Sequence, residues 1–159
     1  MMIKFEGTKR QQNIIALIIS VVFLGPLAYW AVDREPPYTF LHVEIEPNNV
    51  VQGEDIQITF WAVQNRESCG PGLVYREYKE LETGKIHTYD PVLRGKEPEL
   101  VDGKFTRIGK ISESIAPGPT LYRGYSCYNC NPLHTWLRWP VCVVAPEKQF
   151  TVIKKIIKE

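Results

Sequence analysis

The chain has almost no net charge: 19 Lys and Arg against 18 Asp and Glu leave +1 over 159 residues. That balance gives no electrostatic reason to expect nucleic acid as a partner. Internal repeats and low-complexity tracts are absent, which excludes a solenoid and a biased-composition tail. Histidine is scarce, with only His42, His87 and His134. None of them has a Ser or Asp at a recognisable spacing, so a hydrolytic triad is unsupported. Carboxylates are scattered, and Glu80 and Glu82, flanking a turn, are expected to be solvated. No cofactor-binding motif occurs. An enzyme is therefore not expected.

A further absence organises the chain. Ile14 to Val32 (IIALIISVVFLGPLAYWAV) contains no charge, and Ser20 is its only polar side chain. As a helix this run spans about 28 Å, close to a bilayer's hydrocarbon thickness. Small residues are missing where a signal peptidase needs them. Cutting after Ala31 puts Tyr29 at the third position back, and cutting after Ala28 puts Pro26 there. No Cys follows closely, so a lipoprotein processing site is also lacking. Tyr29 and Trp30 suit an aromatic belt at the far interface. An uncleaved signal-anchor over 14–32 is expected, with Gly25-Pro26 tolerated as a kink. Lys4, Glu6, Lys9 and Arg10 contribute +2 ahead of it and leave −1 for residues 33–159. The positive side stays inside, so residues 1–13 are expected in the cytoplasm and the rest in the periplasm or cell exterior.

Residues 33–37 (DREPP) read as a stiff linker that keeps the following domain near the lipid surface. Tyr38 to Glu46 alternates, with Leu41, Val43 and Ile45 on one face, as a half-buried strand does. Asp55 to Asn65 alternates again through Ile56, Ile58, Phe60 and Ala62. Leu73 to Leu81 and Ile86 to Tyr89 form a hairpin about a Gly-containing turn. Pro91 to Gly103 reads as a polar connection and Lys104 to Ile111 as a strand. A Pro-Gly corner at 115–119 leads into Thr120 to Tyr128. The last strand is split at Pro146, between Val141–Val144 and Gln149–Ile153. Seven short strands with Gly and Pro turns predict an all-β, antiparallel β-sandwich over 38–153. Residues 154–159 form a tail that extends the last strand or frays.

The run P-x-x-V-x-x-G-E-x-I-x-I from Pro47 to Ile58, the Pro-Gly corner, and Tyr125-Ser126-Cys127 resemble immunoglobulin-like domains. The resemblance implies an immunoglobulin-like sandwich with a Tyr, either Tyr122 or Tyr125, pinning the corner. It departs in one respect: the second strand lacks the Cys of an antibody-type core disulfide. The overall layout is also similar to small single-pass membrane proteins of tailed bacteriophages.

All four cysteines, Cys69, Cys127, Cys130 and Cys142, lie beyond the apolar run. An even count outside the cytoplasm reads as two disulfides. With strands alternating in direction, all four fall at one tip. Cys69–Cys127 with Cys130–Cys142 is favoured, because the second pair would staple the excursion that starts at Asn131. The rival pairing is Cys69–Cys130 with Cys127–Cys142. Two other readings use the same residues. Cys127-x-x-Cys130 is a redox pair, although no helix signal follows it. Alternatively, Cys127, Cys130, His134 and Cys142 bind zinc.

The excursion from Asn131 to Pro140 holds more apolar surface than a loop needs. Tyr128, His134, Trp136, Arg138 and Trp139 either cap the core, sit at the lipid interface, or bind a partner. The first strand leaves the membrane, so the tip is expected on the membrane-proximal side. The expected function is a membrane-anchored, outward-facing interaction or accessory protein of the envelope, its partner another envelope protein. The alternatives are the metal or thiol-redox protein and a structural subunit of a membrane or virion assembly.

Overall fold

The computed structural model describes residues 9–66, 69–94 and 99–155. Lys4, Glu6, the end of the tail and part of the connection after Arg94 lie outside the described residues. Helix α1 (Lys9–Val32) begins ahead of the apolar run and is 24 residues long. It is long and apolar enough to cross a membrane by length and composition, a test that a signal sequence also passes. None of its side chains is buried against the rest of the chain.

Among the described residues, nine strands and one short helix follow: β1 (Tyr38–Glu46), β2 (Asn49–Val51), β3 (Asp55–Gln64), β4 (Gly72–Glu80), β5 (Ile86–Arg94), β6 (Lys104–Lys110), β7 (Gly118–Tyr128), α2 (Pro132–Trp136), β8 (Val141–Val144) and β9 (Lys148–Ile153). They build two sheets. One has the order β1-β3-β6; the other runs β2-β9-β7-β4-β5, with β8 paired to β7. The inward residues of both share one core. Val43, Ile45, Ile56, Ile58 and Phe60 from the first sheet meet Tyr78, Tyr122, Phe150 and Val152 from the second. This is the period-2 alternation realised as burial, each strand giving alternate residues to the interior. A smaller cluster of Tyr38, Ala62 and Tyr128 closes the end nearest α1.

Three differences from the sequence expectations have physical causes. Strand β5 does not stop at Tyr89 but continues through Pro91 to Arg94. It is the outermost strand of its sheet, where a Pro costs no ladder bond on the open side. The segment after Pro47 forms the extra strand β2, parallel to β9 through Asn49–Thr151, Val50–Val152 and Val51–Ile153. Three residues are too few to alternate visibly, and the pairing is long-range.

The third concerns the corner before β7. Glu80 is 4 % exposed, not solvated. Its carboxylate accepts from the Ala116 N–H at 2.9 Å, from His87 Nε2 at 2.7 Å and from the Thr83 hydroxyl. These donors, Thr83 first and then Ala116, hold the carboxyl down to about 2 against burial. Glu80 thus fastens the corner. Tyr122 lies deep in the core, and Tyr125 is on the opposite face, stacked on Tyr75 at 4.5 Å.

Candidate functional site

The elements that begin or end near α1 bring the candidate tip together. The start of β1 lies beside the end of β3, with Tyr38 opposite Gln64. The end of β7 lies beside the starts of β4 and β8, with Tyr128 opposite Gly72 and Val141. Gly72 is required there: a Cβ would come within 2.4 Å of the Tyr128 ring.

The cysteines gather at this end, paired Cys69–Cys130 and Cys127–Cys142. This is the rival pairing, and strand period explains it. Thr120, Tyr122, Gly124, Ser126 and Tyr128 face inward on β7, so Cys127 points away from the core. Its direct cross-strand neighbour is Cys142, also on the outer face. Cys130, past the strand end, turns toward Cys69, and the Gly70 N–H donates to the Asn129 carbonyl at 2.7 Å. The two cysteines of the C-x-x-C run are therefore each bonded elsewhere. Among the described residues none of the four cysteines is a free thiol, and no three His, Cys, Asp or Glu are placed to hold a metal ion.

A five-residue helix, α2, follows directly. Asn131 caps it, its Oδ1 accepting from the His134 N–H at 3.1 Å, and Pro132 fills the first turn. Asn-Pro is the sequence signal for such a start, a weak one here because the helix is a single turn long. The cap also reaches α1: Asn131 Nδ2 donates to the Trp30 carbonyl at 3.1 Å.

His134 is fully buried. Its Nδ1 accepts from the Cys130 N–H at 3.3 Å, and its Nε2 lies 3.2 Å from Asn131 Nδ2. Burial first, then the charges of Arg34 and Arg66, hold the imidazole below its ordinary value, with Asp33 acting in the opposite direction. The ring is a neutral strut between the disulfide end and the linker. Tyr128, 5 % exposed, is likewise framework.

Trp136, Arg138 and Trp139 are the outward part of the tip. Trp136 is 76 % and Trp139 48 % exposed. Arg138 is exposed and takes a positive φ of 52° where the chain leaves α2.

The linker supplies residues that sequence reasoning passed over. Arg34 donates to the carbonyls of Trp139 and Pro140, both at 3.2 Å. Asp33 pairs with Arg66 through both carboxylate oxygens, and this guanidinium holds the Asp33 carboxyl below its ordinary value. Asn65 donates its side-chain amide to the Pro36 carbonyl at 3.1 Å and its backbone N–H to the Pro37 carbonyl at 2.8 Å. Residues 33–37 are thus bolted to the tip rather than left as a tether. A run of alternating charges offered no hint of that, because its partners lie 33 and about 105 positions away.

No protein-family model matches the chain, and no curated protein matches it. Several solved structures resemble part of it. The alkylpurine DNA glycosylase AlkC of Pseudomonas fluorescens, bound to DNA containing an abasic site analog, is 13 % identical with a TM-score of 0.40. That match covers 85 % of this chain and 35 % of the other. The β-glucosidase EmGH1 of Erythrobacter marinus is 7 % identical over 73 % of this chain and 15 % of its own, TM-score 0.42. The sporulation control protein Spo0M of Bacillus subtilis is 9 % identical over 74 % of this chain and 50 % of its own, TM-score 0.41. This chain therefore spans half or less of each, and likeness at this level carries no functional argument.

Proposed function

We propose that the chain is a single-pass protein of the cell envelope whose β domain faces outward and works by binding, with Trp136, Arg138 and Trp139 as its contact surface. The observation that carries this reading is the fastening of an exposed Trp pair to the end of an apolar helix. Trp30 and Arg34 at that helix end hold Asn131 and Trp139 of the tip. Helix α1 has no buried side chain and is long and apolar enough to cross a bilayer. Two disulfides fit an oxidising space on the far side. Trp and Arg dominate contact hot spots, and both also suit the membrane interface beside the anchor.

The finer fold assignment in this reading is immunoglobulin-like. Its support is the sheet order: β1-β3-β6 facing β9-β7-β4-β5 parallels the split of an immunoglobulin sandwich into its B–E and G–F–C layers.

Photo-crosslinking from within native membranes tests the reading. A photo-reactive residue at position 136 is expected to give one adduct of defined mass, and one at exposed Ile108 none. Trp139→Ala with Arg138→Ala is expected to abolish the adduct. If both Trp residues become Ala, the chain stays stable and correctly located, and every partner contact survives, the surface is refuted.

A further inference from the structure

Three arginines stand where the strand pattern calls for apolar residues. On β4 the inward positions are Gly72, Val74, Arg76, Tyr78 and Glu80. On β5 Arg94 shares the inward side with Val92. On β6 it is Arg107, between Phe105 and Gly109, opposite Ile58 of β3. All three are half-buried. A charge on a core-facing position is a fault unless it has a use.

They line one feature, a cavity of about 50 Å³ between the two sheets. Ser126 and Ala145 are small where neighbours carry rings, while the Tyr122 hydroxyl fills the place of a Gly124 Cβ. Its floor is aromatic. Phe60 and Phe105 stack at 5.0 Å, and Phe40 lies 5.6 Å from Phe60. At its rim, Arg107 sits 5.3 Å over the Phe105 ring. Arg94 Nε is buried and has no hydrogen-bond partner among the described residues. None of the three arginines has a carboxylate within ion-pair distance among those residues, although the chain forms such pairs elsewhere. Burial and the charge on Arg94 together hold Arg107 below its ordinary value, so these like charges oppose each other at the rim.

We infer that the space between the sheets at the β5–β6 edge is a binding site for a small amphipathic oxyanion, a carboxylate or phosphate head on a short apolar stem. The head takes the guanidinium forks of Arg94 and Arg107, which act on one another and whose geometry suits two-oxygen acceptors. The stem enters among Phe40, Phe60 and Phe105. Inward charge on an edge strand can also serve to block edge-to-edge pairing. That accounts for the placing of Arg94 and Arg107 on the two edge strands, but not for an Arg94 Nε that is buried with no partner among the described residues; Arg76 on β4 lies 6.0 Å from the Tyr89 ring centroid. The site is separate from the tip and does not depend on the function proposed for it.

Calorimetric titration of the full chain in zwitterionic lipid nanodiscs, with empty discs as the blank, tests this. Acetate, butyrate, hexanoate, butyl phosphate, inorganic phosphate and hexanol are the probes. Affinity is expected to rise from acetate to butyrate by about fourfold per methylene, then level off as the cavity fills. Butyrate against butyl phosphate decides which head the site prefers. Arg94→Gln or Arg107→Gln is expected to weaken hexanoate at least tenfold without lowering the unliganded melting temperature, because a repulsion is relieved. Arg107→Lys is expected to fall between. The proposal is overturned if inorganic phosphate and acetate bind as tightly as hexanoate, if hexanol does so and ignores the variants, or if no probe binds. It is equally overturned if the Gln variants aggregate or melt earlier while hexanoate binding is unchanged.

Discussion

Arg34 lies over Trp139, its guanidinium carbon 4.1 Å from the ring centroid, while donating to the carbonyls of Trp139 and Pro140. One side chain thereby couples the residue two places after α1 to an exposed ring of the tip. The contact combines a cation–π interaction with two charge-assisted hydrogen bonds.

Arg34→Ala removes all three contacts. It is expected to cost about 1 to 3 kcal/mol of tip stability and little of the sandwich. Arg34→Lys recovers only part, since an ammonium cannot hold both carbonyls and stack flat. Hydrogen exchange resolves the two regions: faster exchange at Trp139 and around α2, with β3 and β7 unchanged, is the expected pattern.

His134 makes the tip sensitive to mild acid. Its folded value lies below the ordinary 6.5. The unfolded state therefore takes the proton first, and the stability of the neutral form is complete above 6.5 and declines as the pH falls. Protonating Nδ1 also breaks the bond from Cys130 N–H. Exchange at Cys130 and His134 amides is expected to accelerate between pH 7 and pH 5, and His134→Gln is expected to flatten that response. An unchanged profile in the variant would contradict the assignment.

Glu80 sets a second, lower acid limit. Its folded value of about 2 lies below the ordinary 4.5. Its contribution is therefore present above 4.5 and lost as the pH falls toward about 2. Glu80→Gln is expected to cost about 2 to 3 kcal/mol at pH 7, because a buried charge-assisted network loses its acceptor. Denaturant midpoints at pH 7 and pH 3 are the check: the gap between the parent and the variant should narrow at the lower pH.

The disulfides differ in the loop each closes, with separations of 61 and 15 residues. In the chain-entropy account, losing the first costs about 4 kcal/mol and losing the second about 3 kcal/mol. Cys69→Ser with Cys130→Ser is expected to lower the unfolding midpoint more than Cys127→Ser with Cys142→Ser. Peptide mapping without reduction should recover the two pairs directly.

Much of this architecture was legible because alternation writes burial into sequence. Period alone puts Val43, Ile45, Ile56, Ile58 and Phe60 inward on β1 and β3, and the core holds them there; Leu41, expected on the same face, is exposed, because the register shifts between Phe40 and His42. The gathering of four cysteines at one end followed from strand direction. The pairing did not, because it turns on which face of β7 Cys127 occupies. Long-range polar contacts were also hidden. Nothing near Glu80 in sequence announces Ala116, and nothing near Asp33 announces Arg66, since each pair meets only after the sheets have formed. The arginines of β4, β5 and β6 were visible as residues but not as a group, because their shared side emerges only from register.

Fluorescence quenching by brominated lipids measures where the tip lies most directly. In a Trp30→Phe, Trp61→Phe background, only Trp136 and Trp139 report. With the full chain in vesicles, a tip fastened beside a membrane-spanning helix predicts strong quenching by bromines just below the headgroups and little at the bilayer centre. Emission at the wavelength of water-exposed indole, untouched by bromines at any depth, would contradict it.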